Sequence, residues 1–216
     1  MAMVIAIAQQ KGGAGKTMLT AQLAVWFALE RRVVCIDIDP QGSLTLWGRL
    51  RDAQPRARVT VEVQSLTGWR LDRALDQVQA SHDIVLIDTP PVLDGDQARA
   101  IRAADLVLVP LNPAPPDLWA AEATLKRAAM ERRQVAMVFN RAPAASKLRR
   151  RLEVEIAARG FLLLPALGNR SAFATSFADG LGVAEAAKPG LAGDECAALG
   201  AALLGLDRKS PLVTKK

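Results

Sequence analysis

The sequence predicts an α/β protein with a mostly parallel β-sheet covered by helices on both faces. Six short apolar runs recur along its 216 residues, and stretches of helical character separate most of them. This alternation is typical of parallel sheets, because the connections between parallel strands are helices that pack on the sheet. Half of the residues are hydrophobic, enough for one domain with a sizeable core. The runs are Val4–Ala8, Val33–Ile38, Ile84–Asp88, Leu106–Val109, Val135–Phe139 and Phe161–Leu164.

The first apolar run is followed by a glycine-rich turn at residues 11–17, Lys-Gly-Gly-Ala-Gly-Lys-Thr, and then by a helical stretch. Glycines let backbone N–H groups come very close to a bound phosphate, and the start of the helix adds its positive dipole end. Lys16 is placed to reach the outer phosphates, and the Thr17 hydroxyl to bind Mg²⁺. The pattern therefore predicts a phosphate-binding loop, the P-loop.

This loop departs from the ordinary P-loop motif at its start. The motif begins with a glycine five residues before its second glycine, whereas this chain has Gln10 at that position, followed by Lys11. The departure places a second cation beside the loop. Two lysines, Lys11 and Lys16, therefore flank one phosphate-binding turn.

Three further segments are predicted from their composition. Residues 46–58 mix four arginines with acidic and polar residues, and we favour a solvated loop over a nucleic-acid surface there, because charge runs are usually exposed. The proline-rich residues 110–117 predict a stiff turn before a helix over 118–130, which Asp117 would cap at its N-terminus. The helix after the P-loop is predicted over residues 16–30, and its core-facing side chains are Leu19, Leu23, Trp26 and Phe27.

Three polar side chains, Asp39, Asp88 and Asn140, lie at or just beyond the ends of predicted strands. The carboxyl ends of parallel strands meet at one edge of a sheet, where ligands bind, so these side chains should converge with the P-loop on one site. Asp88 ends a run of four apolar residues, where an unpaired carboxylate would be costly. We favour Mg²⁺ as its partner, and a structural salt bridge is the alternative.

The formal net charge is +6, and the densest group of cations follows Asn140. Residues 141–152 contain five basic residues and no acidic one, at the start of a helix that then becomes amphiphilic. Such clusters bind backbone phosphates without reading sequence, and their affinity falls with salt. Nonspecific DNA binding and a merely solvated face are equal alternatives for this cluster. The candidate DNA-binding residues are Lys147, Arg149, Arg150, Arg151, Arg170 and Lys188.

The remaining chemistry-bearing residues indicate no other activity. Cys35 and Cys196 lie far apart without metal-ligand spacing, so they are predicted to be buried reduced thiols. The lone His82 has no partner motif, which leaves Ser-His or Cys-His catalysis without support. The chain has neither a signal-peptide pattern nor an apolar run of about 18 residues, and this predicts a cytoplasmic protein.

The P-loop and two further segments resemble the deviant Walker A ATPases of the ParA/MinD family. Residues 33–43, ending in Asp-Ile-Asp-Pro-Gln-Gly-Ser, look like the second strand and the switch of that family, and residues 84–91 look like its Walker B strand. Residues 140–141 and 169–185 are similar to the nucleotide-base loop and the C-terminal segment of small ParA partition ATPases. Arg170 matches a family arginine near the nucleotide, so it is a candidate for that place as well as for a DNA-binding surface.

The resemblance implies a ParA-like ATPase domain over residues 1–206, a short basic tail at 207–216, and Mg²⁺-dependent hydrolysis of ATP. Lys16 and Lys11 would act on the developing charge, Lys11 by crossing to the nucleotide of a second subunit, and Asp39 would orient the attacking water. The implied metal ligands are Thr17, Asp39 and Asp88, and the implied nucleotide contacts are Lys11, Gly12, Gly13, Ala14, Gly15, Lys16, Thr17, Met18, Asn140 and Arg141.

The same resemblance implies an ATP-bound homodimer that binds nonspecific DNA and is released when a ParB-like activator or a cargo adaptor stimulates its slow hydrolysis. Its task would be partition or positioning, with the cytoplasmic protein associated with the nucleoid in the ATP state. A MinD-like regulator recruited to membranes is the weaker alternative, because the basic residues follow the last apolar helix and cannot form its polar face. A ligase or reductase on the same fold is less favoured, since no second substrate pocket and no exposed cluster-binding cysteines are found.

Overall fold

The computed structural model of the chain describes residues 2–92, 95–144, 146–185 and 190–206. Strands and helices alternate along it, as the pattern of apolar runs predicts. The strands are β1 Met3–Ile7, β2 Val33–Asp37, β3 Glu62–Ser65, β4 Ile84–Asp88, β5 Leu106–Leu111, β6 Gln134–Phe139 and β7 Leu162–Leu164. The helices are α1 Lys16–Ala28, α2 Ser43–Asp52, α3 Leu71–Val78, α4 Gly95–Ala103, α5 Pro115–Met130, α6 Lys147–Ala158, α7 Ser171–Ala178 and α8 Leu191–Leu204. Short 3₁₀ turns occur at Gly68–Arg70 and Val183–Glu185.

Within these described ranges the strands form one seven-stranded sheet in the order β3-β2-β4-β1-β5-β6-β7, and every pair is parallel. The prediction of a mostly parallel sheet is therefore confirmed. The last residue of β4, Asp88, lies in register between Ile7 of β1 and Asp37 of β2. The P-loop, the segment after β2 and Asp88 consequently meet at the carboxyl edge of three adjacent strands.

Helices cover both faces of the sheet, which confirms the second part of the fold prediction. One face carries α1, α2, α7 and α8, and the other carries α3, α4, α5 and α6. Alternate strand residues point to opposite faces, so Ile5 and Ile7 of β1 join the first core whereas Val4 and Ala6 join the other. The predicted stripe on α1 faces the core: Leu19, Leu23 and Phe27 are buried and Trp26 is half-buried.

Two elements differ from the sequence-based expectations. Strand β3 has the polar sequence Glu-Val-Gln-Ser and forms an edge of the sheet, so no apolar run marks it. Of residues 46–58, which are predicted to be a solvated loop, residues 46–52 belong to α2 and the rest follow the helix. Trp47 and Arg51 of this helix are buried, Trp47 in the core and Arg51 against a carboxylate that is distant in sequence.

Candidate functional site

The P-loop connects β1 to α1 and contains two glycines with left-handed backbone. Gly13 has a φ of 79° and Gly15 a φ of 83°, values that residues with a Cβ rarely adopt. Gly15 is the N-cap of α1, so the positive end of the helix dipole lies at the turn. A Cβ at Gly12 or Gly13 would meet no described atom within 4 Å, and the loop is therefore open at these positions.

Lys16 is the buried cation of the site. Its Nζ donates a hydrogen bond to the Gln9 carbonyl over 3.2 Å, which bends the side chain back along the loop. Burial lowers the pKa of its ammonium, while the Asp88 and Asp39 carboxylates counter part of this shift. An ammonium has three donors, so Lys16 keeps hydrogen-bonding capacity for an anion at the loop.

Asp88 is fully buried, and neither of its carboxylate oxygens has a hydrogen-bond partner in the described part of the chain. Burial raises the pKa of Asp88 to about 7, although the Thr17 hydroxyl and Lys16 act in the opposite direction. A buried carboxylate close to a threonine hydroxyl suits Mg²⁺, which takes few protein oxygens and completes its shell with water and phosphate. Thr17 and Asp88 therefore fit the predicted metal ion.

The two aspartates after β2 differ in their surroundings. Asp37 is buried, and its Oδ2 accepts hydrogen bonds from the Thr45 backbone N–H over 2.8 Å and from the Thr45 hydroxyl over 2.7 Å. Its Oδ1 accepts the N–H of Asp39 over 3.2 Å. Asp39 is only half-buried, and its Oδ1 accepts the Gln41 N–H over 3.0 Å. Asp37 thus holds the loop in place, whereas the Asp39 side chain lies next to the site.

Lys11, the extra lysine of the loop, contacts the carboxylate of Asp117. Asp117 is buried, and its other oxygen accepts hydrogen bonds from the backbone N–H and the side-chain amide of Asn112. Asp117 is not the N-cap predicted from sequence, because α5 begins at Pro115 and its N-cap is Ala114. Prolines are tolerated in the first turn of a helix, where N–H groups lack partners, so the helix starts earlier than expected.

Asn140 and Arg141 follow β6, and the side chains of both residues contact the P-loop. The Nδ2 of Asn140 donates to the Ala14 carbonyl over 3.0 Å, and its Oδ1 accepts the Arg141 N–H over 3.0 Å. The Nη1 of Arg141 donates to the Gly13 carbonyl over 3.2 Å. These polar atoms thus contact the loop itself, although the sequence resemblance assigns both residues to the nucleotide base.

A cavity of about 370 Å³ adjoins the loop and is lined by Met18, Asn140 and Asn169, among others. Arg170 also lines this cavity, and its guanidinium forms hydrogen bonds of 2.9 and 2.6 Å with the carboxylate of Glu195. The sequence makes Arg170 a candidate both for a place near the nucleotide and for a DNA-binding surface. In the structure it lies beside the candidate nucleotide site. Its charge is already paired, so it adds little to a DNA-binding surface.

The other candidate DNA-binding residues lie on α6, apart from Lys188, which lies outside the described residues. Lys147, Arg150 and Arg151 are exposed, and their side chains have no polar partner among residues 2–92, 95–144, 146–185 and 190–206. Arg149 differs, because its Nε binds the Glu153 carboxylate over 2.8 Å. Within the described part of the chain, three of the four predicted cations of α6 therefore have no charged partner.

A buried ion pair joins α2 to the segment before α8. The guanidinium of Arg51 binds both carboxylate oxygens of Glu185, at 2.9 and 2.8 Å, and both side chains are almost inaccessible. Burial favours a higher pKa for Glu185, but Arg51 and the N–H groups of Arg58 and Gly182 outweigh it and hold the pKa below its ordinary value. A cavity of about 630 Å³ borders Glu185 and contains none of the predicted nucleotide contacts.

The remaining predictions concern the thiols and the membrane. Cys35 and Cys196 are buried and unpaired, as expected, and burial raises the pKa of both thiols, that of Cys196 to about 12. None of the helices in the described ranges is long and apolar enough to span a bilayer. Among the described residues, no group of three or more His, Cys, Asp or Glu side chains is placed to hold a metal ion together.

Comparison with known proteins identifies the family. Residues 5–183 match the model of the CobQ/CobB/MinD/ParA nucleotide binding domain, CbiA. The chain therefore belongs to this family, and the resemblance drawn from the P-loop, residues 33–43 and residues 84–91 is confirmed. A curated relative is the "Maintenance of carboxysome distribution protein A" of Halothiobacillus neapolitanus. It is 29% identical over 189 residues, which cover 84% of this chain and 87% of the relative.

Solved structures share the fold. An ATP complex of McdA from Cyanothece superposes with a TM-score of 0.76 at 17% identity, over 95% of this chain and 97% of the other. The septum site-determining protein MinD of Pyrococcus horikoshii, complexed with Mg-ADP, gives a TM-score of 0.77 at 19% identity, over 94% of this chain and 96% of MinD. At these identities the likeness shows that the chain shares the fold of these proteins.

Proposed function

We propose that this protein is a Mg²⁺-dependent ATPase that dimerises on ATP, binds nonspecific DNA and positions a cargo. A ParB-like activator or a cargo adaptor would stimulate hydrolysis and release. The observation that carries the proposal is the grouping at one sheet edge of a glycine-rich loop, the buried ammonium of Lys16 and the fully buried carboxylate of Asp88. Family membership and the relative named for carboxysome distribution support the positioning role.

Each group at the site has a proposed part in phosphoryl transfer, which depends mainly on positioning and on cations at the developing charge. Mg²⁺ would be held by Thr17 and Asp88, with Asp39 as a third candidate ligand, and would neutralise phosphate charge. Lys16 would donate to the outer phosphates. Asp39 would orient the attacking water, because it is half-buried and its backbone is tied to Asp37.

Lys11 provides the link to a dimer. Its side chain is 39% exposed and belongs to the same loop as Lys16, so it can leave Asp117 without disturbing a buried core. We propose that it binds the nucleotide of a second subunit, which makes dimerisation depend on ATP. Two symmetric copies would then each complete the site of the other.

The DNA-binding surface is proposed to be the exposed side of α6, with Lys147, Arg150 and Arg151 as its cations. Unpaired, exposed cations on one helix bind backbone phosphates without reading bases. A dimer would present this surface twice. The MinD-like membrane alternative gains no support from α8, the last described helix, whose sequence Leu191–Leu204 contains no lysine or arginine for a basic face.

The proposal is tested by co-sedimentation with nonspecific DNA in ATP, in ADP and without nucleotide, across a salt series. We expect binding in ATP only, with affinity that falls steeply as salt rises. The double variant Arg150→Ala/Arg151→Ala should bind weakly and with a shallower salt dependence, reduced by about 0.9 in log-log slope for each phosphate that is no longer neutralised. Lys11→Ala should bind ATP as a monomer and fail to bind DNA.

The matched control is Arg73→Ala/Arg132→Ala, which removes the same charge from two exposed arginines outside α6. This variant should keep most of the affinity. Equal losses in the two double variants would show that net charge, and not α6, attracts DNA. If no nucleotide state binds DNA, the DNA part of the proposal is wrong, and the same ATP-loaded protein should then be sedimented with anionic liposomes.

A further inference from the structure

The side chains of Asn140 and Arg141 bind the P-loop itself, and a role at the nucleotide base does not explain these contacts. Asn140 is 1% exposed and binds the Ala14 carbonyl, and Arg141 binds the Gly13 carbonyl. We infer that these two residues act as a loop clamp, which holds the P-loop in its phosphate-binding conformation whichever base is attached. The inference rests on the proposed nucleotide site and assigns a positioning role to both side chains.

The orientation of the Asn140 amide follows from its two neighbours. The Ala14 carbonyl can only accept, so it faces the amide NH₂, and the Arg141 N–H can only donate, so it faces the amide oxygen. Ala14 is itself fully buried. Removal of the amide would therefore leave a buried carbonyl without a partner, which is more costly than the loss of an exposed hydrogen bond.

The clamp acts on two successive peptide units of the loop. In a trans peptide the C=O of one residue and the N–H of the next point in opposite directions. With the carbonyls of Gly13 and Ala14 bound on the β6 side, the N–H groups of Ala14 and Gly15 must point the other way. A P-loop binds phosphate through such N–H groups, so the clamp orients donors without contacting the ligand.

Backbone geometry on both sides of the contact supports this role. A Cβ on Gly15 would lie 2.3 Å from Nδ2 of Asn140, so only glycine admits the amide at this position. Arg141 adopts a left-handed backbone, φ 52°, which disfavours residues other than glycine. Such strain persists where surrounding contacts enforce it, and here the arginine side chain from that residue reaches the loop.

A base-reading role and a clamp predict different ligand dependence. An asparagine that reads the base affects nucleotides and leaves the binding of a bare phosphate chain unchanged. A clamp affects every phosphate ligand equally. Calorimetric titration with Mg-ATP, Mg-ITP and Mg-tripolyphosphate therefore separates the two roles in wild type, Asn140→Ala, Asn140→Asp and Arg141→Ala.

We expect Asn140→Ala to weaken all three ligands by the same factor, about tenfold. Asn140→Asp keeps the shape and the acceptor for Arg141 but sets an oxygen against the Ala14 carbonyl, so its loss should be at least as large. Arg141→Ala removes an exposed contact and should weaken all three by about threefold. Because Arg141 is exposed, this variant should fold normally even if substitution of the buried Asn140 impairs folding.

Arg132→Ala is the matched control, because Arg132 is also an exposed arginine with a left-handed backbone, φ 54°. It should bind all three ligands as the wild type does. Hydrogen exchange of residues 12–16 in the unliganded protein provides a second measurement, and it should be faster in all three clamp variants than in the control.

Losses confined to the nucleotides, or unchanged exchange in residues 12–16, would overturn the clamp. A wild-type protein that binds neither ATP nor tripolyphosphate would refute the proposed function instead. In that case the hydrogen exchange rates of residues 12–16 in the unliganded proteins alone would test the clamp.

Discussion

The ammonium of Lys11 is held by the buried carboxylate of Asp117 in the same chain. The two residues come from the P-loop and from the first turn of α5, and Asn112 fixes the other oxygen of the carboxylate. In the proposed dimer Lys11 contacts the nucleotide of the partner subunit. The bond to Asp117 must then break, so Asp117 competes with dimerisation.

Asp117→Asn should strengthen ATP-dependent dimerisation. The substitution removes the charge that holds Lys11 and keeps an acceptor for Asn112. A partly exposed ion pair is worth about 1 kcal/mol, and two such pairs break in each symmetric dimer, so the dimer dissociation constant should fall about 30-fold. Sedimentation velocity with a non-hydrolysable ATP analogue measures this constant. Asp52→Asn, which removes an exposed carboxylate from α2, is the control, and an unchanged or weaker Asp117→Asn dimer would refute the competition.

Asp88 should make the stability of the metal-free protein depend on pH. Its pKa is about 7 in the folded state and near 3.8 when unfolded, so below about pH 4 both states are protonated. Between these values only the unfolded chain releases the proton, and stability therefore falls as pH rises to about 7 and then levels off. Added Mg²⁺ requires the charged form, so its apparent affinity should rise over the same interval.

The measurement is the free energy of urea unfolding from pH 5 to 8, for the wild type and for Asp88→Asn. The difference between the two proteins isolates the contribution of Asp88. The variant should be relatively more stable at pH 8 than at pH 5, because it never carries the buried charge. Parallel pH profiles would show that Asp88 titrates near its ordinary value.

The buried pair of Arg51 and Glu185 should contribute far more to stability than the exposed pair of Arg56 and Asp179. Arg51→Met keeps the alkyl bulk and leaves the Glu185 carboxylate buried without its partner, at a cost of about 3–5 kcal/mol. Arg56→Met should cost less than about 1 kcal/mol. Chemical denaturation of both variants at pH 7 provides the test. Similar losses would mean that solvent reaches Glu185.

Most of the fold is predictable because buried parallel strands are marked by continuous apolar runs. All six predicted runs overlap strands of the sheet. No such run predicts β3, because this strand lies at the edge and alternates polar residues with Val63. The arginines of α2 lead to the prediction of a solvated loop, because runs of charged residues are usually exposed. No pattern in the neighbouring sequence predicts that Arg51 is buried.

The site is predictable only where its residues are close in sequence or follow strand ends. The loop, Asp39 and Asp88 meet because parallel strands end at one edge. The partners of Lys11 and Arg51 are 106 and 134 positions away, and no local pattern connects them. The contact of Asn140 with Ala14 likewise depends on the β1-β5-β6 order, which places the two loops side by side.

The bonds between Asp37 and Thr45 have a consequence for the entropy of the site. They join positions eight apart and so close the chain around Asp39 into a small ring. A short closed ring has few conformations, and most of the ordering of Asp39 is therefore completed during folding. If Asp39 orients the attacking water as proposed, its carboxylate has little freedom left to lose when the nucleotide binds, and preorganisation of this kind would favour the reaction.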